Sequence, residues 1–464
     1  MIELQFRDGT LLLAGLPPDG GLLAGLVAWD ERAQLHRAAA VRYAEIVRLL
    51  YRQGAPYRDA ARAYRELQLG ERAPRALRPY QQQALRAWEA ARRRGVIVLP
   101  TGAGKSYVAV RAMLACQRST LVVAPTIELV EQWARDLEQR FACRVGRYGG
   151  GERELAEITV ATYDSAVLFM PWHGNRFGLV VFDECHHLPA EVTSQAAWQC
   201  LAPFRLGLTA TPERRDGLEA RLAELIGPIV HRTAIGELEG RYLADYQVEL
   251  IEVAMDPEDA ALYAAQRARY LAFVRRAGIE LAAPDGWQRF LAAAARDPEG
   301  RAALQAWRVQ QRLARANRAK LAAVWRLLRR HAGERVLIFT DDNDTAYAIG
   351  EALLLPVLTH RTRPPERRAM LDAFRSGRWP VLVTSRVLNE GVDVPEAAVG
   401  IVVSGSGSVR EHVQRLGRIL RPRAGKVAVL YELVSAGTAE YATSERRRAH
   451  AAFGAEGWRD EGPC

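Results

Sequence analysis

The sequence predicts an α/β protein in which two domains built on parallel sheets are preceded by a small α+β unit and interrupted by a helical module. Three observations carry this expectation. Short, apolar, β-branched runs alternate with helical stretches in two separate blocks, the pattern of buried parallel strands covered by helices. A strand-free stretch rich in Ala and Arg lies between the blocks. The length of 464 residues, at roughly 100–200 residues per domain, leaves room for about two to four domains.

Residues 2–16 alternate and end in Gly15, and Pro17-Pro18-Asp19-Gly20-Gly21 makes a turn, so the chain opens on a small β-containing unit. Apolar Val41, Ala44, Val47 and Leu50 repeat at helical spacing through 38–52. The arginine-rich stretch up to Arg78 reads as a second helix and a linker, with a boundary near residue 75. The first block of strands is 95–99, 120–124, 158–161 and 179–182, and the second is 335–339, 381–384, 399–403 and 427–430. In the helical stretch between them, Arg267, Arg269, Arg275 and Arg276 interleave with Tyr263, Tyr270 and Phe273. That pattern suits either a nucleic-acid grip or the core of a helical module. The end of the chain, with Arg446-Arg447-Arg448, reads as a frayed, solvated charge run.

Lys and Arg together number 64 against 54 Asp and Glu, a net charge of +10 that favours a polyanionic partner, nucleic acid first. Only Lys105, Lys320 and Lys426 are lysines, so each stands where a compact ammonium serves better than a guanidinium. The five cysteines contain no C-x-x-C pair, which disfavours zinc ribbons, four-cysteine iron–sulfur sites and disulfide scaffolds. No basic-then-apolar leader and no apolar run near ~18 residues occurs, so a soluble, intracellular, cytoplasmic protein is expected.

Strand 95–99 runs into Pro100-Thr101-Gly102-Ala103-Gly104-Lys105-Ser106, and a helix begins there. Gly102, Ala103 and Gly104 let backbone N–H groups wrap a phosphate, and the helix N-terminus favours negative charge. Lys105 reaches the outer phosphates, and the Ser106 hydroxyl ligates Mg²⁺. Leu99 stands where the general pattern has its first glycine. Strand 179–182 ends at Asp183-Glu184-Cys185-His186-His187, where Asp183 suits an Mg²⁺ contact and Glu184 suits polarising the attacking water. Adjacent His186 and His187 have no third ligand at metal spacing, and Cys185 reads as a small core residue.

The order Leu77-Arg78-Pro79-Tyr80-Gln81, the phosphate loop, Ala124-Pro125-Thr126, Asp183-Glu184-Cys185-His186, Thr209-Ala210-Thr211-Pro212, Glu390-Gly391-Val392-Asp393-Val394-Pro395 and Gln414-Arg415-Leu416-Gly417-Arg418-Ile419-Leu420-Arg421 resembles the motif ladder of superfamily 2 DExH helicases. Phe204-Arg205-Leu206-Gly207-Leu208, Asn175-Arg176-Phe177 and Ser404-Gly405-Ser406-Gly407-Ser408 narrow the resemblance to the XPB helicase family in its compact archaeal and bacterial form. The resemblance implies two tandem RecA-like parallel-sheet motor domains, a damage-recognition-like amino-terminal domain and a helical thumb. Residues 1–75 would be the amino-terminal domain, 76–240 the first motor domain, 241–256 with 308–445 the second, 257–307 the thumb and 446–464 a tail.

It also implies an ATP-dependent, 3′-to-5′ DNA helicase or double-strand translocase acting in repair, with ATP and Mg²⁺ as cofactors. Arg78 and Gln81 would read adenine, with Thr101 in the phosphate loop and Gly391 and Asp393 contributing from the second motor domain. Gln414, Arg418 and Arg421 would complete catalysis, the two arginines as fingers on one helical face. A strand-separating Arg-Glu-Asp element of the family matches Arg214, Arg215 and Asp216, where a cation replaces the central carboxylate. A phosphate contact and a solvated turn closed by Gly217 both fit these three residues. DNA is the implied partner, with a nuclease or a repair or transcription assembly beside it, in a nucleoid-associated prokaryotic protein. An RNA-dependent ATPase, a restriction-type DNA motor and a nucleotide-switched scaffold that never unwinds remain open on the residues alone.

Overall fold

The computed structural model describes residues 1–214, 216–238, 245–281, 283, 285–385, 397–404, 427–438, 440 and 458–460. The chain divides into two compact units, 1–234 and 235–464, where sequence places the division at 240. No helix among the described residues is long and apolar enough to cross a membrane.

The first unit opens with strands β1 (Ile2–Arg7) and β2 (Thr10–Ala14), an antiparallel hairpin in which Arg7 faces Thr10. Asp8 and Gly9 between them have φ of 50° and 72°, the left-handed pair that a two-residue hairpin turn requires. β3 (Ala28–Asp30), β4 (Leu35–Ala39), helix α1 (Tyr43–Arg52) and β5 (Tyr57–Asp59) follow, giving the sheet order β3-β4-β2-β1-β5. The helix expected over 38–52 starts only at Tyr43, because His36 and Ala38 are buried on alternate positions and their strand pairs with β2. The core of Leu4, Leu11, Leu13, Ile46 and Leu50 takes in Leu201 from much later in the chain.

The second helix expected before Arg78 does not form. Tyr57–Asp59 instead joins β1 in parallel, and the following segment is irregular apart from a single bridge between Glu66 and Arg118. Ser119 N–H donates to the Arg65 carbonyl at 2.9 Å, Leu67 N–H to Gln117 at 2.9 Å and Arg72 N–H to Arg140 at 2.8 Å. Backbone hydrogen bonding thus takes what helical periodicity would otherwise have used.

That next sheet is built by α2 (Pro79–Ala90), β6 (Arg94–Val98), α3 (Lys105–Cys116), β7 (Thr120–Ala124), α4 (Ile127–Phe141), β8 (Val145–Gly149), β9 (Glu152–Arg153), β10 (Ile158–Thr162), α5 (Tyr163–His173), β11 (Leu179–Asp183), α6 (Gln195–Trp198), β12 (Phe204–Thr209), α7 (Leu222–Leu225) and β13 (Ile229–Arg232). The order is β13-β6-β12-β11-β7-β10-β8-β9, parallel throughout except for β9. Every residue of β7 and β11 is buried, as strands covered on both faces must be.

The second unit contains α8 (Ile235–Leu238), β14 (Asp245–Val253), α9 (Pro257–Arg276), α10 (Gly286–Arg296), α11 (Pro298–Ala316), α12 (Arg318–Arg330), β15 (Val336–Phe339), α13 (Asn343–Leu353), β16 (Val357–Leu358), α14 (Pro364–Arg375), β17 (Val381–Thr384), β18 (Val399–Val402), β19 (Val427–Ser435) and β20 (Trp458–Asp460). Its strands are all parallel, in the order β16-β17-β15-β18-β19-β14-β20. The segment read as a tail therefore contributes a strand, paired with β14. The helical insert runs past 307 to Ala316, where Asn317 caps the next helix. Tyr270 and Phe273 pack on Phe290 at 5.3 and 6.2 Å between ring centroids, and Tyr263 is buried as well. These aromatics are core, and Arg267, Arg269, Arg275 and Arg276 are exposed around them.

Lys320 on α12 is fully buried, and its ammonium donates to the Val403 carbonyl and to Glu440 Oε2, both at 2.7 Å. Burial pushes its pKa down and Glu440 opposes the shift. A three-donor point charge fits between a carbonyl and a carboxylate where a planar fork does not. Lys320→Met leaves that carboxylate, which still accepts from Ser435 N–H at 3.1 Å, without its cation and should cost about 3 kcal/mol, lowering the thermal midpoint. Unfolding within about 1 kcal/mol of wild type, on the scale of an exposed ion pair, would contradict this account.

Candidate active site

Three adjacent strands set the site. Leu208 of β12 faces Asp183 of β11, and Thr209 of β12 faces Val98 of β6. The phosphate loop, the Thr-Ala-Thr turn and the acidic pair therefore leave the sheet at one edge, the carboxyl end where ligands bind in open α/β sheets. Leu99 N–H donates to the Thr209 carbonyl at 3.0 Å and ties the loop to that turn. Leu99 is fully buried and does not take a left-handed backbone, so no glycine is needed there.

Gly102 and Gly104 have φ of 82° and 78°, and a Cβ at Gly104 would stand 2.6 Å from Gln81 Nε2. Lys105 opens α3, and its Nζ lies 3.3 Å from the Leu99 carbonyl, a long contact. The Thr101 hydroxyl is buried and has no hydrogen-bond partner. An exposed Ser106 follows Lys105. Two left-handed glycines before a helix start, an ammonium held by one long contact and an orphaned hydroxyl fit a nucleotide phosphate.

Gln81 is placed differently from the base-reading role that the family resemblance implies. Its Nε2 donates to the Ala103 carbonyl at 2.8 Å and to Gly104 at 3.4 Å, while its Oε1 accepts from Arg78 N–H at 3.0 Å. Tyr80 Oη donates to the same Ala103 carbonyl at 2.7 Å, and Arg78 Nη1 lies 3.2 Å from that hydroxyl. Gln81 and Tyr80 thus brace the phosphate loop from behind. Tyr80 carries part of the site, and its only signal in the sequence is its place inside the motif.

Asp183 is buried at the end of β11. Its Oδ2 accepts from Trp133 Nε1 at 2.8 Å and its Oδ1 from Glu184 N–H at 3.0 Å. Burial pushes its pKa up, while the Trp133 bond, the Lys105 charge and the Glu184 N–H pull it back. Trp133 is a site residue that sequence reasoning missed, since its position on α4 looks like any apolar helix position. Glu184 takes a left-handed backbone, φ 46°, a strained state for a non-glycine residue. Its Oε2 lies 3.4 Å from His186 Nδ1, which is 3.1 Å from Thr209 Oγ1. Cys185 is fully buried and burial pushes its thiol well up, as expected of a core residue.

Arg214 makes a two-point pair with Asp216, at 2.8 and 2.6 Å, and donates to the His186 carbonyl. The Arg214 hydrogen bond brings Asp216 down to about 2. The guanidinium proposed for phosphate contact is thus engaged with the acidic motif. Among the described residues no His, Cys, Asp or Glu group of three or more could hold a metal ion by itself. Arg215, Gly391, Asp393, Gln414, Arg418 and Arg421 lie outside the described residues.

Residues 4–61 match the family model of the Xeroderma pigmentosum group B helicase damage recognition domain. Residues 75–214 match the type III restriction enzyme res subunit, and 303–452 the ERCC3/RAD25/XPB C-terminal helicase. The chain is 42% identical over 372 residues to the DNA 3′-5′ translocase XPB2 of Sulfurisphaera tokodaii, covering 80% of this chain and 84% of that one. It is 32% identical over 369 residues to the DNA 3′-5′ helicase XPB of Mycobacterium tuberculosis, covering 76% of this chain but 60% of that protein's length. The crystal structure of the Pyrococcus furiosus Hef helicase domain aligns with a TM-score of 0.53 at 19% identity, over 80% of this chain and 98% of that one, a likeness of fold.

The brace makes Gln81 testable. Gln81→Ala should weaken ATP and GTP alike, by about tenfold, the order of one lost buried hydrogen bond. Loss of ATP binding with GTP unaffected, in a fluorescence titration, would return Gln81 to base reading.

Proposed function

The chain belongs to the XPB family of superfamily 2 helicases, and on that premise we propose that it is an ATP-driven 3′-to-5′ DNA helicase or double-strand translocase of the kind used in DNA repair. One observation carries the reading: the β6–β12–β11 register delivers Lys105, Thr209 and Asp183 to a single sheet edge. Lys105 with the N–H groups of 102–105 holds the outer phosphates of ATP, and Thr101 gains an acceptor there. Ser106 and Asp183 are the ligands for Mg²⁺, which when bound neutralises charge on the phosphate oxygens. Glu184 takes the proton of the attacking water, its carboxylate aimed by the left-handed turn.

From the second motor domain, Gly391 and Asp393 bind nucleotide and Gln414 helps order the site. Arg418 and Arg421 act as arginine fingers on the charge that develops at the γ-phosphoryl group. Arg214 with Asp216 links the acidic motif to the Thr-Ala-Thr turn, and DNA contact by Arg215 is the part of that element still in keeping with its charge. The basic chain takes DNA as its track, with a nuclease or a repair or transcription assembly as its protein partner.

Glu184→Gln should retain ATP binding and lose turnover by about a hundredfold or more, the scale of a positioned general base. A variant that no longer binds nucleotide would show that the two acids have exchanged roles. Arg421→Ala should leave nucleotide affinity within a few-fold and lower DNA-stimulated single-turnover hydrolysis by about 10³ or more. Near-wild-type turnover would remove Arg421 from the site. A strand-displacement assay on a forked duplex separates unwinding from translocation alone.

A further inference from the structure

A second cationic feature of the first unit lies away from the nucleotide edge. Two open cavities of about 770 and 540 Å³ share the walls Arg48, Arg92 and Arg94, where α1 meets the start of β6. Their combined lining carries seven arginines against three carboxylates, Glu45, Asp59 and Glu224. Three of those arginines are paired: Arg42 with Glu45 at 3.3 Å, Arg62 with Asp59 at 3.6 Å, and Arg118 with Glu66. Among the described residues, Arg48, Arg92 and Arg94 have no ion pair. Arg48 and Arg94 each give one N–H to a backbone carbonyl, Ala44 at 2.7 Å and Ile226 at 3.3 Å.

Like charges that share a wall repel one another. Burial pushes Arg94 down to about 9, and Arg205 and Arg48 add to the shift. Arg48 is lowered by burial and then by Arg92 and Arg52. Arg92 reaches the cavity from a left-handed backbone, φ 58°, beside Arg93 at φ 59°. Arg93 sits over the Phe204 ring at 5.2 Å. Glu45 offsets part of this repulsion at both residues, and a strained turn with an excess of guanidiniums around open space is what an anion would relieve.

We propose that this seam is a phosphate-binding site, separate from the nucleotide edge, in which Arg48, Arg92 and Arg94 hold phosphate groups of a nucleic-acid backbone or of a free phosphate compound. Arg94 begins β6 and the phosphate loop follows its end, so roughly 13 Å of strand separates the two sites. The inference rests on the arginine cluster and not on the helicase reading.

The test is the full chain carrying Arg48→Ala and Arg92→Gly. Glycine accepts a φ of 58°, so the second change removes the guanidinium and the strain together. A melting temperature no lower than that of the wild type and unchanged binding of a fluorescent ATP analogue certify the fold and the nucleotide edge. Labelled single- and double-stranded 20-mers are titrated across salt, where affinity should fall roughly tenfold and the salt slope by about 2, one per arginine. Inorganic tripolyphosphate is followed by thermal shift in a Lys105→Ala background, so that the phosphate loop does not report, and its shift should vanish in the variant. Loss in the DNA arm assigns the site to a nucleic-acid backbone, and loss in the tripolyphosphate arm alone assigns it to a free phosphate compound. DNA affinity, salt slope and thermal shift all unchanged would overturn the proposal. If Arg48→Ala lowers the melting temperature, Arg92→Gly alone carries the test at about half the slope change, and Arg92→Lys should restore binding.

Discussion

The register of β6, β12 and β11 is the constraint from which the first unit's chemistry follows. In a parallel ladder each strand's end is set by its neighbour's hydrogen bonds, so a slip of one residue would turn every side chain to the opposite face. Such a slip would exchange the two differently packed faces of the Asp183 strand and carry Thr209 away from His186. The sheet's interior residues, packed on both faces, make that slip prohibitive. The polar edge is held in place by strands that carry no chemistry of their own.

Charge burial adds a second layer of specification. Arg205, at the start of β12, is fully buried, and its guanidinium donates to the carbonyls of Ala202, Ala197, Leu225 and Cys200. Two of those carbonyls close the short helices α6 and α7, where backbone dipoles present negative ends. Trp88 Nε1 donates to the Arg205 carbonyl at 2.8 Å, so α2 is fastened to the same strand. In the second unit, Lys320 does related work with one carbonyl and one carboxylate.

What the sequence made legible was the part whose physics is local. Glycines at 102 and 104, followed by Lys105 and Ser106 at a helix start, announce a phosphate loop because the backbone itself is the ligand. The eight strands read from apolar runs fall within a residue or so of the observed ones, save that β19 extends to Ser435. What escaped depends on residues distant in sequence. Trp133 reaches Asp183 across 50 positions, and nothing near either residue encodes the contact. Gln81 and Tyr80 stand inside a motif that suggests ligand contact, yet their side chains turn to the loop's own carbonyls. The stretch before Arg78 has helical composition, but its carbonyls and N–H groups find partners at Ser119 and at the ends of α3 and α4.

That last segment bears on how force moves through the first unit. A flexible tether between the amino-terminal sheet and the larger sheet would stretch before it pulled, absorbing work as lost entropy. Here the strap from Arg65 to Arg72 is bonded to the ends of α3 and α4, the Gly9 turn donates to the Pro171 carbonyl at 2.9 Å, and Leu201 sits in the amino-terminal core. Those contacts are several and spread along the seam, so the small sheet is fastened to the large one at more than one point. The amino-terminal sheet and the larger sheet are thereby held as one body, so a ligand resting on the first keeps a fixed position relative to the second.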